Sequence, residues 1–284
     1  MSTDFCTIPS IVQSARDGDI EQVYELLQNG ADVNSVNYLG QTALHMAATA
    51  GNENLAGVLI ESGAELEVTD RKGQTALHKA VFNLHIGTAS LLLKKGADPE
   101  GSPKNLHTPL HIAVMHKNVD LLQLLLEYNA NTTVYFSKDR PCAVDFLLST
   151  SIDNRVCFDM IKSLLQHGCD IDYNHVTCQT MTMSPLFACI FYLKSAAILV
   201  MLYEFGCGRW KFNWRDDRLY DRREDKEFLK EFVQQKAASP RSLMSACRVF
   251  VYQRLQKKPL LYVNRLPLPQ TMKNYLAFND VVYF

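Results

Sequence analysis

The stretch "GQTALHMA" at residues 40–47 returns as "GQTALHKA" at residues 73–80 and, with changes, as "HTPLHIAV" at residues 107–114. The histidines stand at His45, His78 and His111, 33 residues apart each time. A second landmark lies nearer the end of each unit: "LLQNGAD", "LIESGAE", "LLKKGAD" and "LLEYNAN". Its Gly30, Gly63, Gly96 and Asn129 keep the same 33-residue spacing. Two independent landmarks on one period indicate a repeat architecture, and that decides the fold class.

Each unit reads physically as two short helices. Thr42, Thr75 and Thr108 precede apolar runs and suit N-caps, and Pro109 suits a first helical position, where its missing N–H costs nothing. Leu44, Ala47 and Ala48 mark the apolar side of a first helix, and Leu55, Val58 and Leu59 that of a second. Gly63 and its equivalents suit the left-handed residue that ends a helix, with Asn129 the next best choice. The small residues Ala47, Ala80 and Ala113 let neighbouring helices approach closely. No single unit can bury its apolar face, so the units must stack.

These T-P-L-H-like and G-A-D-like elements resemble the ankyrin repeat. Weaker copies flank the central ones. Residues 11–34 lack the T-P-L-H opening and are expected to cap the N-terminal end. The copy from Arg140 to Asp170 holds extra residues, which predicts a longer inter-helix loop near Ser151–Arg155. A further copy begins at Ser184. The expected fold is therefore all-α, an ankyrin solenoid of about six repeats.

Composition narrows the partners. Lys and Arg total 29 against 30 Asp and Glu, a formal net charge of −1, which argues against bare nucleic acid or an anionic membrane as the main partner. None of the eight cysteines forms a C-x-x-C pair, and the N-terminal "MSTDFCTIPS" is not a secretory signal, so a reducing cytoplasmic setting is expected, with the nucleus left open. Residues 185–205 are apolar enough to consider as a membrane span. Lys194 and Ser195 fall in the middle at a repeat turn, so two short buried helices are expected instead.

Catalytic signatures are missing. There is no H-E-x-x-H, G-x-S-x-G or glycine-rich phosphate loop, and neither a cofactor nor a catalytic residue is expected. His45, His78 and His111 cannot share a metal, because stacked helices lie about 8–10 Å apart while metal–nitrogen bonds are about 2 Å. Each imidazole is expected to tie one repeat's backbone to its neighbour.

Residues 209–238 break the repeat. Trp210, Phe212 and Trp214 alternate with polar residues, a pattern that could stack nucleobases. The acids that follow largely cancel the arginines, so these aromatics are expected to cover the open end of the last repeat. Residues 225–235 then read as an amphipathic helix with Phe228, Leu229 and Phe232 inward.

The last segment, 239–284, opens with a predicted helix capped by Ser239 and started by Pro240. Leu243, Ala246, Cys247, Phe250 and Val251 share one apolar stripe. "VNRLPLPQTMKNYL" follows at residues 263–276, its prolines holding an extended turn. The two parts together resemble the SOCS box. The resemblance implies that Leu243, Ala246, Cys247, Phe250 and Val251 bind elongin B and elongin C, with Leu243 entering a pocket of elongin C. It implies that Val263, Leu266, Pro267, Leu268 and Pro269 select a cullin, usually the fifth, with its RING subunit. Met272, Tyr275 and Leu276 match the short helix that closes the box.

Ankyrin repeats followed by this box resemble the ankyrin-repeat and SOCS-box family. The implied organisation is an ankyrin domain over 1–208, a connecting segment over 209–238 and a SOCS box over 239–284. The implied role is a non-catalytic substrate receptor of a ubiquitin ligase, its protein target unknown. A sequestering ankyrin scaffold is the alternative. Loops project at the hairpin tips between repeats, so Asn37, Tyr38, Arg71, Lys72, Lys104 and Asn105 are the candidate target contacts.

Overall fold

Helix pairs dominate the fold because each repeat spells two short apolar runs separated by a cap and a turn. The computed structural model describes residues 10–105, 107–132, 143–150, 153–169, 175–176, 182–183, 188–189, 192, 194–205, 226–238, 263, 265 and 268–277. The chain divides into two compact units, Met1–Ala130 and Asn131–Phe284. That packing boundary falls inside the repeat array read from the sequence. In a solenoid each repeat touches only its neighbours, so packing can divide between any two of them.

The described residues of the first unit form four helix pairs: α1 (Ile11–Asp17) with α2 (Ile20–Gln28), α3 (Ala43–Ala50) with α4 (Glu53–Glu61), α5 (Ala76–Phe82) with α6 (Ile86–Lys94), and α7 (Pro109–Met115) with α8 (Val119–Glu127). The first helices form one layer, α1 on α3, α3 on α5 and α5 on α7, and α4, α6 and α8 stack as a second. Leu44, Leu77 and Leu110 from the first layer and Leu55, Leu59, Leu92 and Leu125 from the second fill the core between them. Ala47, Ala80 and Ala113 are wholly buried where the first helices meet, as their size predicts.

Caps follow the 33-residue register. The Thr42 and Thr108 hydroxyls accept the His45 and His111 amides at the N-termini of α3 and α7, and Pro109 occupies the first turn of α7. Asp19, Asn52 and Asn118 cap the second helices, accepting the Gln22, Leu55 and Leu121 amides. Gly30, Gly63, Gly96 and Asn129 all take left-handed backbone after the second helix. A further left-handed position follows the first helix, at Gly18, Gly51, Leu84 and Lys117. The sequence does not announce it at Leu84 and Lys117, where side chains are accommodated at φ 62° and 57°.

The second unit continues the pairing. Here α9 (Ala143–Ser149) packs on α10 (Asn154–Gln166), and α10 on α11 (Ala196–Glu204). The extra length expected as a loop near Ser151–Arg155 lies mainly in the helix: α10 has 13 residues against nine in α8, and Arg155 lies in its first turn. Asp153 accounts for this early start, its carboxylate accepting the Arg155 and Val156 amides.

Lys194 and Ser195 stand outside helix, as the turn reading requires. The buried Lys194 ammonium donates to the Thr150 carbonyl at 2.8 Å. Among the described residues no helix is long and apolar enough to cross a membrane. A two-residue antiparallel ladder, β1 (His175–Val176) with β2 (Thr182–Met183), is the one strand pairing among the described residues and was not expected from the sequence.

Downstream lie α12 (Lys226–Ala238) and α13 (Gln270–Leu276). The expectation that Phe228 points inward is corrected: it is 47% exposed and stacks on Phe232, which in turn meets Tyr203 edge-on at 5.7 Å. Phe232 already covers Tyr203, so Phe228, one turn earlier, rests on Phe232 rather than on the core. The helix α13 begins directly after Pro269, whose carbonyl accepts the Lys273 amide. The Gln166 amide of α10 donates to the Ala277 carbonyl at 2.9 Å, and Ala277 is buried.

Candidate docking surfaces

The hairpin tips are built by side chains that bond their own turns. The Asn37 Oδ1 atom accepts the Leu39 and Gln41 amides, and Gly40 N–H closes the turn onto the Asn37 carbonyl. Asp70 repeats this 33 residues later, its Oδ1 accepting the Lys72 and Gln74 amides while Gly73 N–H returns to its carbonyl. The third turn runs from Ser102 to Asn105, whose Oδ1 accepts the His107 amide. Successive tips touch. The Arg71 amide donates to the Leu39 carbonyl at 3.0 Å, and a Cβ on Gly73 would meet the Lys104 backbone at 2.9 Å.

The six candidate contacts therefore divide. Asn37 and Asn105 are half-buried and spend their side-chain oxygens on the turns. Tyr38 is 75% exposed, and Arg71, Lys72 and Lys104 are exposed at the tips beside it. Leu39, 41% exposed, is an additional tip residue. Its signal was the 33-residue offset from Lys72.

Beneath the second tip lies an ion pair. Lys79 Nζ is 2.7 Å from Asp70 Oδ2, both groups nearly sealed from solvent, and Lys79 also donates to Gln74 Oε1 at 2.6 Å. Burial alone would raise the Asp70 pKa. The Lys79 ammonium, together with the Gln74 and Lys72 amides, outweighs burial and holds the carboxyl below its usual range.

Two of the repeated histidines, His45 and His78, are seen to tie one repeat to the next. The Thr42 amide donates to His45 Nδ1, so the other nitrogen carries the proton and donates to the Gln74 carbonyl at 2.9 Å. In the same way His78 Nδ1 accepts the Thr75 amide, and Nε2 donates to the His107 carbonyl at 3.1 Å. Burial lowers both pKa values, that of His78 to about 4, more than the carbonyl bonds restore. His85, a tie that the sequence reading missed, reaches the Thr49 carbonyl with Nε2 at 3.1 Å. Its signal was a histidine at the helix-cap position held elsewhere by Asp19, Asn52 and Asn118. Among the described residues no cluster of His, Cys, Asp or Glu is arranged to hold a metal ion.

At the other end of the chain, Leu243, Ala246, Cys247, Phe250 and Val251 lie outside the described residues, as do Leu266 and Pro267. Trp210, Phe212, Trp214 and the Ser239 cap also lie outside them. Val263 is fully buried, Leu268 half-buried and Pro269 exposed. On α13, Met272 is 52% exposed and Leu276 half-buried. This leaves Leu268, Pro269 and Met272 with accessible surface, while Val263 anchors the segment inside the chain.

The chain is similar to known families over both regions. It matches the family model for ankyrin repeats (3 copies) over residues 11–102 and that for ankyrin repeats (many copies) over residues 85–126. It matches the family model for the SOCS box over residues 239–277. No curated protein matches it. Both matched families are interaction modules.

Proposed function

Starting from a chain that joins ankyrin repeats to a SOCS box, the make-up of an ankyrin-repeat and SOCS-box protein, we propose that it is the substrate-recognition subunit of an elongin B/C–cullin–RING ubiquitin ligase. The repeats hold a target protein. The apolar stripe of Leu243, Ala246, Cys247, Phe250 and Val251 holds elongin B and elongin C, with the Leu243 side chain in a pocket of elongin C. The Leu266–Pro269 segment, anchored through Val263, meets the cullin, taken as the fifth, which brings the RING subunit. The division into 1–208, 209–238 and 239–284 belongs to this reading, as does work in the cytoplasm.

The chain performs no chemistry in this scheme. It raises the local concentration of its target beside a ubiquitin-charged enzyme, so that their encounter becomes intramolecular and is governed by an effective concentration rather than by the bulk one. The observation that carries the reading is the SOCS-box match at residues 239–277, following the ankyrin repeats in one chain.

Two measurements test it. Purified elongin B/C is expected to be retained by the immobilised chain at micromolar concentration; no retention refutes the reading in favour of a sequestering ankyrin scaffold. Leu266→Ala with Pro267→Ala is expected to keep elongin retention and to lower cullin retention. Equal loss of both would refute the division of labour between the two halves of the box.

A further inference from the structure

We propose that the hairpin tips of the second, third and fourth repeats form one recognition strip for a short, extended, acidic protein segment that carries an apolar side chain at one end. The inference rests on the reading that the repeats capture a protein, and it names the chemistry of what they capture. Three observations carry it: the register of the tips, the fate of their one carboxylate, and the charge of the unit around them.

The tips present corresponding residues at 33-residue steps: Tyr38 and Leu39, then Arg71 and Lys72, then Lys104 and Asn105. Backbone contact between neighbouring tips joins them into a continuous edge. That edge is apolar at the Tyr38 end, where Val36 and Leu39 are also exposed, and cationic along the rest.

Asp70 is the carboxylate among these turns, and it is turned inward. It is 7% exposed, bonded to two amides of its own turn and paired with Lys79. None of the ion pairs among the described residues involves Arg71, Lys72 or Lys104. The Glu67 carboxylate, three residues before the second turn, accepts the Asp98 amide. The strip thus displays three cations whose nearest turn carboxylate is neutralised from below.

The surrounding unit has the opposite sign. Residues 10–130 contain eight Lys and Arg against fourteen Asp and Glu, a net charge of −6, and three of the eight cations stand on this strip. Such segregation focuses an attractive field for acidic groups on the tips while the rest of the unit repels them. A long polyanion such as nucleic acid, or an anionic membrane, would meet the repulsive remainder. A short peptide would not. Stacked helix pairs lie about 8–10 Å apart, so three tips span about 20 Å, the length of roughly six extended residues at about 3.3 Å each.

The test uses the full chain and fluorescein-labelled decapeptides read by anisotropy. One peptide carries glutamates with a single phenylalanine near one end; its control has glutamine in place of every glutamate. The glutamate peptide is expected to bind at least tenfold tighter than the glutamine peptide, and more weakly as salt rises from 50 to 200 mM. Arg71→Glu, Lys72→Glu and Lys104→Glu together are expected to remove that preference. Lys94→Glu with Lys95→Glu, cations off the strip, should leave it in place. Equal binding of both peptides, no binding of either, or a preference that survives the triple reversal would overturn the proposal. So would tighter binding of a single-stranded oligonucleotide or of phosphatidylserine vesicles. Elongin retention, measured on the same triple variant, should be unchanged; its loss from the parent chain would count against the ligase reading and not against the strip.

Discussion

Lowering the pH from 7 to 5 should weaken the repeat array through His78, by an amount that follows from its surroundings. The ring is fully buried, accepts the Thr75 amide on Nδ1 and donates from Nε2 to the His107 carbonyl. A second proton has no place on Nδ1 without breaking the bond to Thr75. Burial accordingly lowers the pKa from 6.5 to about 4. Asp70 favours the charged ring and Lys79 and His45 oppose it, all three more weakly than burial.

The folded value lies below the unfolded one, so the unfolded chain binds a proton that the native chain refuses between about pH 6.5 and pH 4. Stability is therefore intact above that window and falls as the pH drops through it, by at most about 1.4 kcal/mol per pH unit for one group. Between pH 7 and pH 5 the integrated loss from His78 is about 2 kcal/mol. Urea unfolding of the full chain, followed by far-UV circular dichroism at pH 7, 6 and 5, measures it against His78→Gln, which cannot titrate. His45 is present in both proteins, and its opposition to the charged His78 ring is weaker than burial, so the difference reports mainly on His78. The cost of the substitution should shrink by about 2 kcal/mol on going to pH 5. Parallel pH curves for the two proteins, or a native His78 pKa near 6.5 by NMR, would mean that burial does not keep the second proton off the ring.

Three other substitutions probe the tips and turns. Lys79→Met places the residue that repeat two carries at Met46, and leaves the Asp70 charge with amide partners alone; a loss of about 1–3 kcal/mol by urea unfolding is expected, with no change excluding a contribution from the pair. Gly101→Ala would drive a methyl into the His78 ring at φ 65°, a left-handed backbone; thermal unfolding should show a loss of about 2 kcal/mol or more, and an unchanged midpoint would contradict the close approach. Leu84→Gly removes a side chain from left-handed backbone at an exposed site and should stabilise by up to about 1 kcal/mol, the strain relieved exceeding the added freedom of the unfolded chain; destabilisation would mean that Leu84 packs more than its exposure suggests.

The repeat was legible because its landmarks are backbone requirements. Gly30, Gly63 and Gly96 mark left-handed stops, Thr42, Thr75 and Thr108 mark helix starts, and each requirement recurs wherever the unit recurs. The left-handed turns at Leu84 and Lys117 were hidden, since the stacking of neighbours imposes there what residue preference does not. The Asp70–Lys79 pair was hidden for a related reason: its members are nine residues apart, meet only once turn and helix have formed, and have no counterpart in the adjacent repeats. The long α10 defeated the loop expectation because Asp153 caps earlier than the repeat pattern places a helix start. Among the tip residues, exposure could be read from the hairpin position, but the inward turn of Asn37 and Asn105 depends on which side chains the turns themselves consume.

The ligase reading stands or falls on the apolar stripe headed by Leu243, and calorimetric titration of purified elongin B/C into the full chain and into Leu243→Arg measures that contact. A buried leucine is worth about 1.5–3 kcal/mol, so affinity should fall by roughly ten- to hundredfold in the variant. Equal affinity for the two proteins, or no heat of binding with either, would contradict the account.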